Sequence, residues 1–210
     1  ELARAAADRV GLPLMVHIGQ APPALDDILA RMRSGDILTH LFTGYPDRVL
    51  NAQGKPRNCI LDGARGVRQE VLQARSREVV MDVGHGAGSF NFDVTRAALA
   101  DGFPPDTIST DLHTGSLDGP VFDMPTTMSK FLHLGMDLED VILAATARPA
   151  QAIGRQGELG TLRVGASADV AVFELREGSF AFHDAYGNVE VGRQRLVNRL
   201  TVCRGEVLDA

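Results

Sequence analysis

The chain has 210 residues, enough for one or two domains, and 44% of them are hydrophobic, which excludes a disordered chain and supplies a real core. Lys and Arg number 21 against 27 Asp and Glu, a net charge of −6, and this disfavours nucleic-acid binding, which needs a basic face to displace counterions. The apolar runs are too short to span a membrane, and two cysteines, Cys59 and Cys203, exclude a disulfide-dense secreted scaffold.

Residues 1–10 are Ala-rich and read as a helix already in progress, stopped by Gly11 and Pro13. They lack an initiator Met and do not resemble a signal peptide, so residue 1 reads as an interior position of a longer protein and the location as cytoplasmic. Leu14–Ile18 is a short apolar strand carrying His17, followed by Gly19. Residues 24–34 are helical, with Leu25, Ile28, Leu29 and Met32 on one face. Ile37–Leu41 is a second strand, with His40 near its end. A long connection over 43–65 is rich in Gly, Pro, Asn and Asp; its Tyr45, Arg48, Asn51 and Arg57 are candidates for a lid or for substrate contact.

Glu70–Ser76 is helical, Val79–Val83 is a third strand running into a Gly-rich turn around His85, and residues 93–101 are helical. Thr107–Asp111 is a fourth strand, and a loop over 112–125 leads to helices at about 126–134 and 138–147, the second capped by Asp137. Arg148-Pro149 marks a break and restart. Beyond residue 150 the pattern turns to β: Leu159–Leu162, Ala168–Phe173, Phe180–Phe182 and Leu200–Cys203, punctuated by glycines. The boundary therefore falls between a unit over 1–150 and a smaller one over 151–210.

Strands alternating with helices imply a parallel sheet with crossover helices, either an α/β barrel or a doubly wound sheet. His17, His40, His85 and Asp111 all sit at the C-terminal ends of strands, where (β/α)₈ barrels build their active sites. A His, His, carboxylate set from His17, His40 and Asp111 suits a divalent metal such as zinc. Such a metal acts as Lewis acid and brings the pKa of bound water toward neutrality, and Asp111 is placed to take that proton and pass it to a leaving group. For any one strand-end histidine, a packed and hydrogen-bonded core residue is the competing reading. His85 either hydrogen-bonds substrate, orients a metal ligand from behind, or is a structural turn residue; the run from Gly84 to Phe90 lacks the Lys-Ser/Thr of a phosphate-binding loop. His113 is a substrate contact or a loop residue, and His133 and His183 read as structural or exposed.

Three stretches resemble the amidohydrolase superfamily of metal-dependent hydrolases, and within it the dihydroorotase-like amidohydrolase/deacetylase group. They are Met15–Gly19 with Leu38–Phe42; Arg65-Gly66-Val67 with Asp82–Phe90 and Pro105–His113; and Ala147–Gly154 with Gly160–Val170. The resemblance implies the second half of a (β/α)₈ TIM barrel, strands five to eight, followed by strands of a small β-sandwich. It implies that His17 and His40 are metal ligands and that Asp111 is both ligand and general base/acid; His85, Ser89 and His113 are read as the substrate-binding candidates. It also implies one or two divalent ions, typically zinc, a small-molecule substrate with an amide or related ester bond, and homo-oligomers. The family's first-strand His-x-His and its bridging strand-end lysine have no counterpart, since the only lysines are Lys55 and Lys130. The expectation is thus the C-terminal half of an enzyme, inactive alone. The alternatives are a metal-free scaffold or partner-binding member of the superfamily, and a one-metal deaminase-type member.

Overall fold

A computed structural model describes residues 1–50, 56–58, 60–63 and 66–208. Its sheet begins with β1 (Met15–His17) and β2 (Ile37–Thr39), paired in parallel with Met15 opposite Ile37. The third member is β5 (Val80–Met81), placing Leu38 opposite Met81. All three residues of β2 are buried, as expected for a central parallel strand covered on both faces. The strand expected at Thr107–Asp111 is reduced to a parallel bridge between Asp82 and Thr107. Backbone bonds from Val83, His85 and Gly86 to the carbonyls of Thr107, Ser109 and Thr110 still carry this segment alongside β5. The positive φ angles of Gly84 (46°) and Gly86 (53°) turn the neighbouring chain out of an extended ladder, which explains the lost strand. Segments successive in sequence are thus neighbours in space.

Helices fill the crossovers. α1 (Leu2–Val10) ends at Gly11 in the left-handed conformation, and α2 (Leu25–Leu29) buries Leu25 and Leu29. α2 is shorter than its periodicity suggested because Arg31 and Met32 close it with tighter i→i−3 bonds. α3 (Gln69–Ser76) buries Val71 and Ala74, and α4 (Phe92–Ala100) is capped by the Asn91 side chain, which accepts from Val94 N. α5 (Met124–His133) is capped by Asp123, accepting from Thr126 N. α6 (Leu138–Ala145) follows Asp137, whose side chain makes no cap bond, contrary to expectation. The break expected near Arg148-Pro149 is present: α7 (Ala147–Ala152) restarts after Thr146, with Pro149 in its first turn.

Two regions depart from the sequence reading. The 43–65 connection contains a short antiparallel pair, β3 (Pro46–Leu50) and β4 (Pro56–Asn58). Asn51, Lys55, Cys59 and Arg65 lie outside the described residues, as do the side chains of Arg48 and Arg57. At the C-terminal end the separate short strands fuse into β6 (Val170–His183) and β7 (Val189–Cys203), joined by β8 (Glu206–Leu208). Gly178 does not end β6; it lies within a register shift between Glu177 and Phe180. Gly192 is obligatory in β7 because a Cβ there would overlap the Phe182 ring. No strand forms at Leu159–Leu162, where Gly160 packs directly on the Thr146 carbonyl. Phe182 and Leu196 of the hairpin join the same apolar core as Ile18, Leu38, Met81 and Phe131. No described helix is long and apolar enough to cross a membrane.

Candidate functional site

The C-terminal ends of the parallel strands bring two of the expected ligands together. His17 closes β1 and His40 follows β2; their rings meet edge to face, with centroids 4.2 Å apart and planes at 79°. His17 is exposed and His40 is 4% exposed, so one imidazole faces solvent and the other sits behind it. His40 Nδ1 lies 2.5 Å from the Gly84 carbonyl oxygen. A carbonyl only accepts, so Nδ1 carries the proton and Nε2 keeps a free lone pair. Burial lowers the His40 pKa, and His17 adds to that; the Gly84 carbonyl, Asp111 and Asp82 oppose it. A neutral imidazole with a free Nε2 is the form that binds metals.

Asp111 ends the fourth segment, exposed, against the glycine loop: a Cβ on Gly86 would come within 2.6 Å of its Oδ2. His40 and Asp111 share a feature invisible in sequence. Both have positive φ, 68° and 47°, in a region that residues with side chains seldom occupy. Such strain persists where surroundings over-determine it, and it concentrates at functional sites. Among the described residues, no three His, Cys, Asp or Glu side chains close into a metal-binding group. The chemistry of His17 and His40 fits a divalent ion, and Asp111 is near enough to act on His40 electrostatically, but the donor set is open rather than preformed.

Behind the ligands lies a residue to which sequence reasoning assigned no role. Asp82 is buried and accepts from three hydroxyls: Thr39 Oγ1 at 2.6 Å, Thr107 Oγ1 at 2.6 Å and Ser109 Oγ at 2.7 Å. Ser109 Oγ also accepts from Gly84 N at 3.1 Å. This knot ties three neighbouring strand ends beneath His40. The signal available in sequence was a carboxylate ending an apolar run, matched by hydroxyl residues at equivalent depth on the adjoining strands.

The three expected substrate contacts separate. His85 is fully buried and turned into the core, where its Nε2 lies 2.7 Å from Lys130 Nζ; burial first, then Lys130, push its pKa down to about 3. It therefore faces the interior. Ser89 is 8% exposed. His113 is exposed, with Nδ1 accepting from Gly115 N at 3.1 Å.

The hairpin reaches this face through its turn. Tyr186 OH accepts from Gly44 N at 2.7 Å and lies 3.0 Å from the Gly88 carbonyl, to which it donates. One hydroxyl thus links the loops that follow His40 and His85. A cavity of about 250 Å³ opens beside His17, lined also by Gln20, Pro22, Leu25 and Ile28. A larger hollow of about 990 Å³ lies between α5 and the hairpin, and none of His17, His40, Ser89, Asp111 or His113 lines it.

Residues 1–208 match the model of the Amidohydrolase family. A deacetylase of Enterococcus faecalis is 38% identical over 200 residues, covering 94% of this chain and 51% of that protein. A solved structure described as an adenine deaminase superposes with a TM-score of 0.88 at 36% identity, over 100% of this chain and 54% of that one. Another, described as a dihydroorotase, gives 0.83 at 33% identity, over 100% and 52%. The chain spans about half the length of the curated relatives it matches.

Proposed function

The chain belongs to the amidohydrolase family, and from that premise we propose that it forms part of a metal-dependent hydrolase acting on an amide C–N bond, or a related ester, of a small metabolite. The observation that carries the reading is the meeting of His17 and His40 across two strands, with the His40 Nδ1 proton committed to Gly84 so that Nε2 is left for a metal. His17, His40 and Asp111 would hold the ion, and the imidazole-rich donor set favours zinc. A bound divalent ion supplies Lewis acidity and eases deprotonation of the attacking water.

The remaining chemistry belongs to side chains of this chain. The Asp111 carboxylate takes the water proton and returns it to the departing nitrogen. His113, exposed two residues beyond, is assigned to substrate contact, whereas His85 and Ser89, both buried, shape the loop instead. The relatives carry different names, deacetylase, adenine deaminase and dihydroorotase, at similar identity, so no single name passes to this substrate.

The proposal includes the half-barrel arrangement: the sequential parallel strands form one arc, completed by a further half that supplies a His-x-His and a bridging lysine. Residues 1–210 alone are therefore expected to show no turnover, and the full-length enzyme is expected to self-associate. In the full-length protein, elemental analysis should find one or two divalent ions, and their removal by chelation should abolish hydrolysis. Asp111→Asn should lower turnover by about 10²–10⁴-fold while most of the metal stays bound. Unchanged turnover would dismiss Asp111 as the proton carrier. A full-length protein without metal would favour the scaffold reading, to which the open donor set lends its one supporting observation.

A further inference from the structure

The loop after β5 touches both halves of the candidate site. Its Gly84 carbonyl holds His40 Nδ1, and Gly86 leaves the space into which Asp111 Oδ2 fits. Between the two glycines, His85 points into the core. Its Nδ1 lies 2.9 Å from the Gly86 carbonyl oxygen and so carries the ring proton. Nε2 is then an acceptor, and Lys130 Nζ donates to it over 2.7 Å.

Lys130 is fully buried on α5. Its second donor goes to the Pro120 carbonyl at 2.7 Å, and the Phe90 ring centroid lies 5.6 Å from Nζ. Phe90 also stacks on the His85 ring, with centroids 4.4 Å apart and planes at 18°. Burying a lysine is costly, and a methionine would fill the same volume without that cost. The proposed hydrolysis makes no direct use of this amine. What it provides that an apolar residue does not is a donor to His85 Nε2, which fixes the ring's orientation and with it the bond from Nδ1–H to the Gly86 carbonyl.

We propose that Lys130 is a positioning residue: through His85 it pins the Gly84–Gly86 loop, and thereby sets the direction of the His40 imidazole and the seat of the Asp111 carboxylate. The low proton affinity that burial imposes on His85 keeps its ring neutral and accepting across physiological pH. The consequence for metal affinity rests on the metal reading above; the geometry of the strut does not.

Two variants of the full-length protein test this. Lys130→Met removes the donor. Lys130→Met combined with His85→Phe replaces the whole polar pair by apolar groups, a change that buried pairs often tolerate without loss of stability. Zinc affinity is measured by competition with a chelating dye, and the tautomers of His85 and His40 by long-range ¹H–¹⁵N correlation spectra. The His85 ring is expected as the Nδ1–H form in both the wild type and Lys130→Met, held by the Gly86 carbonyl, while Lys130→Met should move the Nε2 signal toward that of an unbonded pyridine-type nitrogen. Zinc binding should weaken about 10- to 100-fold in both variants, the usual range for losing a group that orients a ligand. The double variant should regain folded stability without regaining affinity, and it carries the test if the single variant does not fold. Wild-type zinc affinity together with unmoved His40 signals in the double variant would overturn the proposal. A wild-type protein that binds no zinc would defeat the metal reading alone; the His40 signals would then still decide the strut.

Discussion

The parallel sheet and the β6–β7 hairpin are built on opposite plans. The sheet uses strands of three, three and two residues, and its central strand is buried throughout. Its polar groups stand at the strand ends, two of them on strained left-handed backbone. The hairpin uses strands of 14 and 15 residues, largely exposed, with a cluster of polar contacts at the turn. There Asp184 accepts from the Tyr186 and Asn188 amides, and Tyr186 reaches the two site loops. Short strands thus aim side chains, because the chain must bend immediately after them. Long strands supply reach, letting a distant part of the sequence latch the loops that carry the chemistry.

Substitutions at matched glycines would test that contrast most severely. Gly84→Ala, at φ 46°, sets a Cβ onto Thr39 Oγ1 and within 2.9 Å of His40 Nδ1. Overpacking plus backbone strain should cost about 3 kcal/mol in urea unfolding and misplace His40. At the hairpin turn, Gly187→Ala meets nothing within 4 Å and pays only for its φ of 85°, about 1 kcal/mol. Equal losses at both positions would show that the site loop is no more constrained than the turn.

Asp82→Ala should be nearly as damaging as Gly84→Ala, about 2–3 kcal/mol, because it orphans hydroxyls on Thr39, Thr107 and Ser109 together. Thermal unfolding of this variant beside Asp82→Asn, which keeps the volume and one acceptor oxygen, separates the lost bonds from lost volume.

A pH series probes the sealed pair. The folded pKa of His85 is lowered from 6.5 to about 3, so the unfolded chain binds the extra proton in that window and stability should fall as pH drops from about 6.5 toward 3. Lys130 is lowered from 10.5 to about 7, chiefly by burial, so the unfolded chain again holds more protons between those values and stability should rise as pH increases through them. Urea midpoints across pH should show both slopes in the wild type and weaker ones in the doubly apolar variant. A flat profile would mean that the pair is open to water.

The smallest expected effect is at the latch. Tyr186→Phe keeps the ring but frees Gly44 N and the Gly88 carbonyl, at about 1 kcal/mol. Amide exchange should quicken at Gly44 while the sheet amides stay protected; uniform exchange rates would deny the hairpin any hold on the loop.

Much of the frame was legible in the residues. Apolar runs ending in His17 and His40 marked strand ends, because hydrophobic period is a local property, whereas the cap read at Asp137 does not form and the side-chain caps fall at Asn91 and Asp123. The loop expected at 43–65 and the fragmented strands beyond 150 were misjudged for the same reason: glycines and prolines read locally as breaks, whereas pairing across the chain carried β6 through Gly178 and joined β3 to β4.

By itself, then, the order of amino acids determined the family, the rhythm of strand and helix, and which side chains of ligating type close the strands. Tertiary structure alone decided that His40 and Asp111 sit on left-handed backbone, that Asp82 gathers three hydroxyls, and that His85 turns inward to a lysine 45 positions away. The physical reason is range. Periodicity and capping act over one or two turns of chain, while the partner of a buried polar group is whichever group the packed core brings within hydrogen-bonding distance.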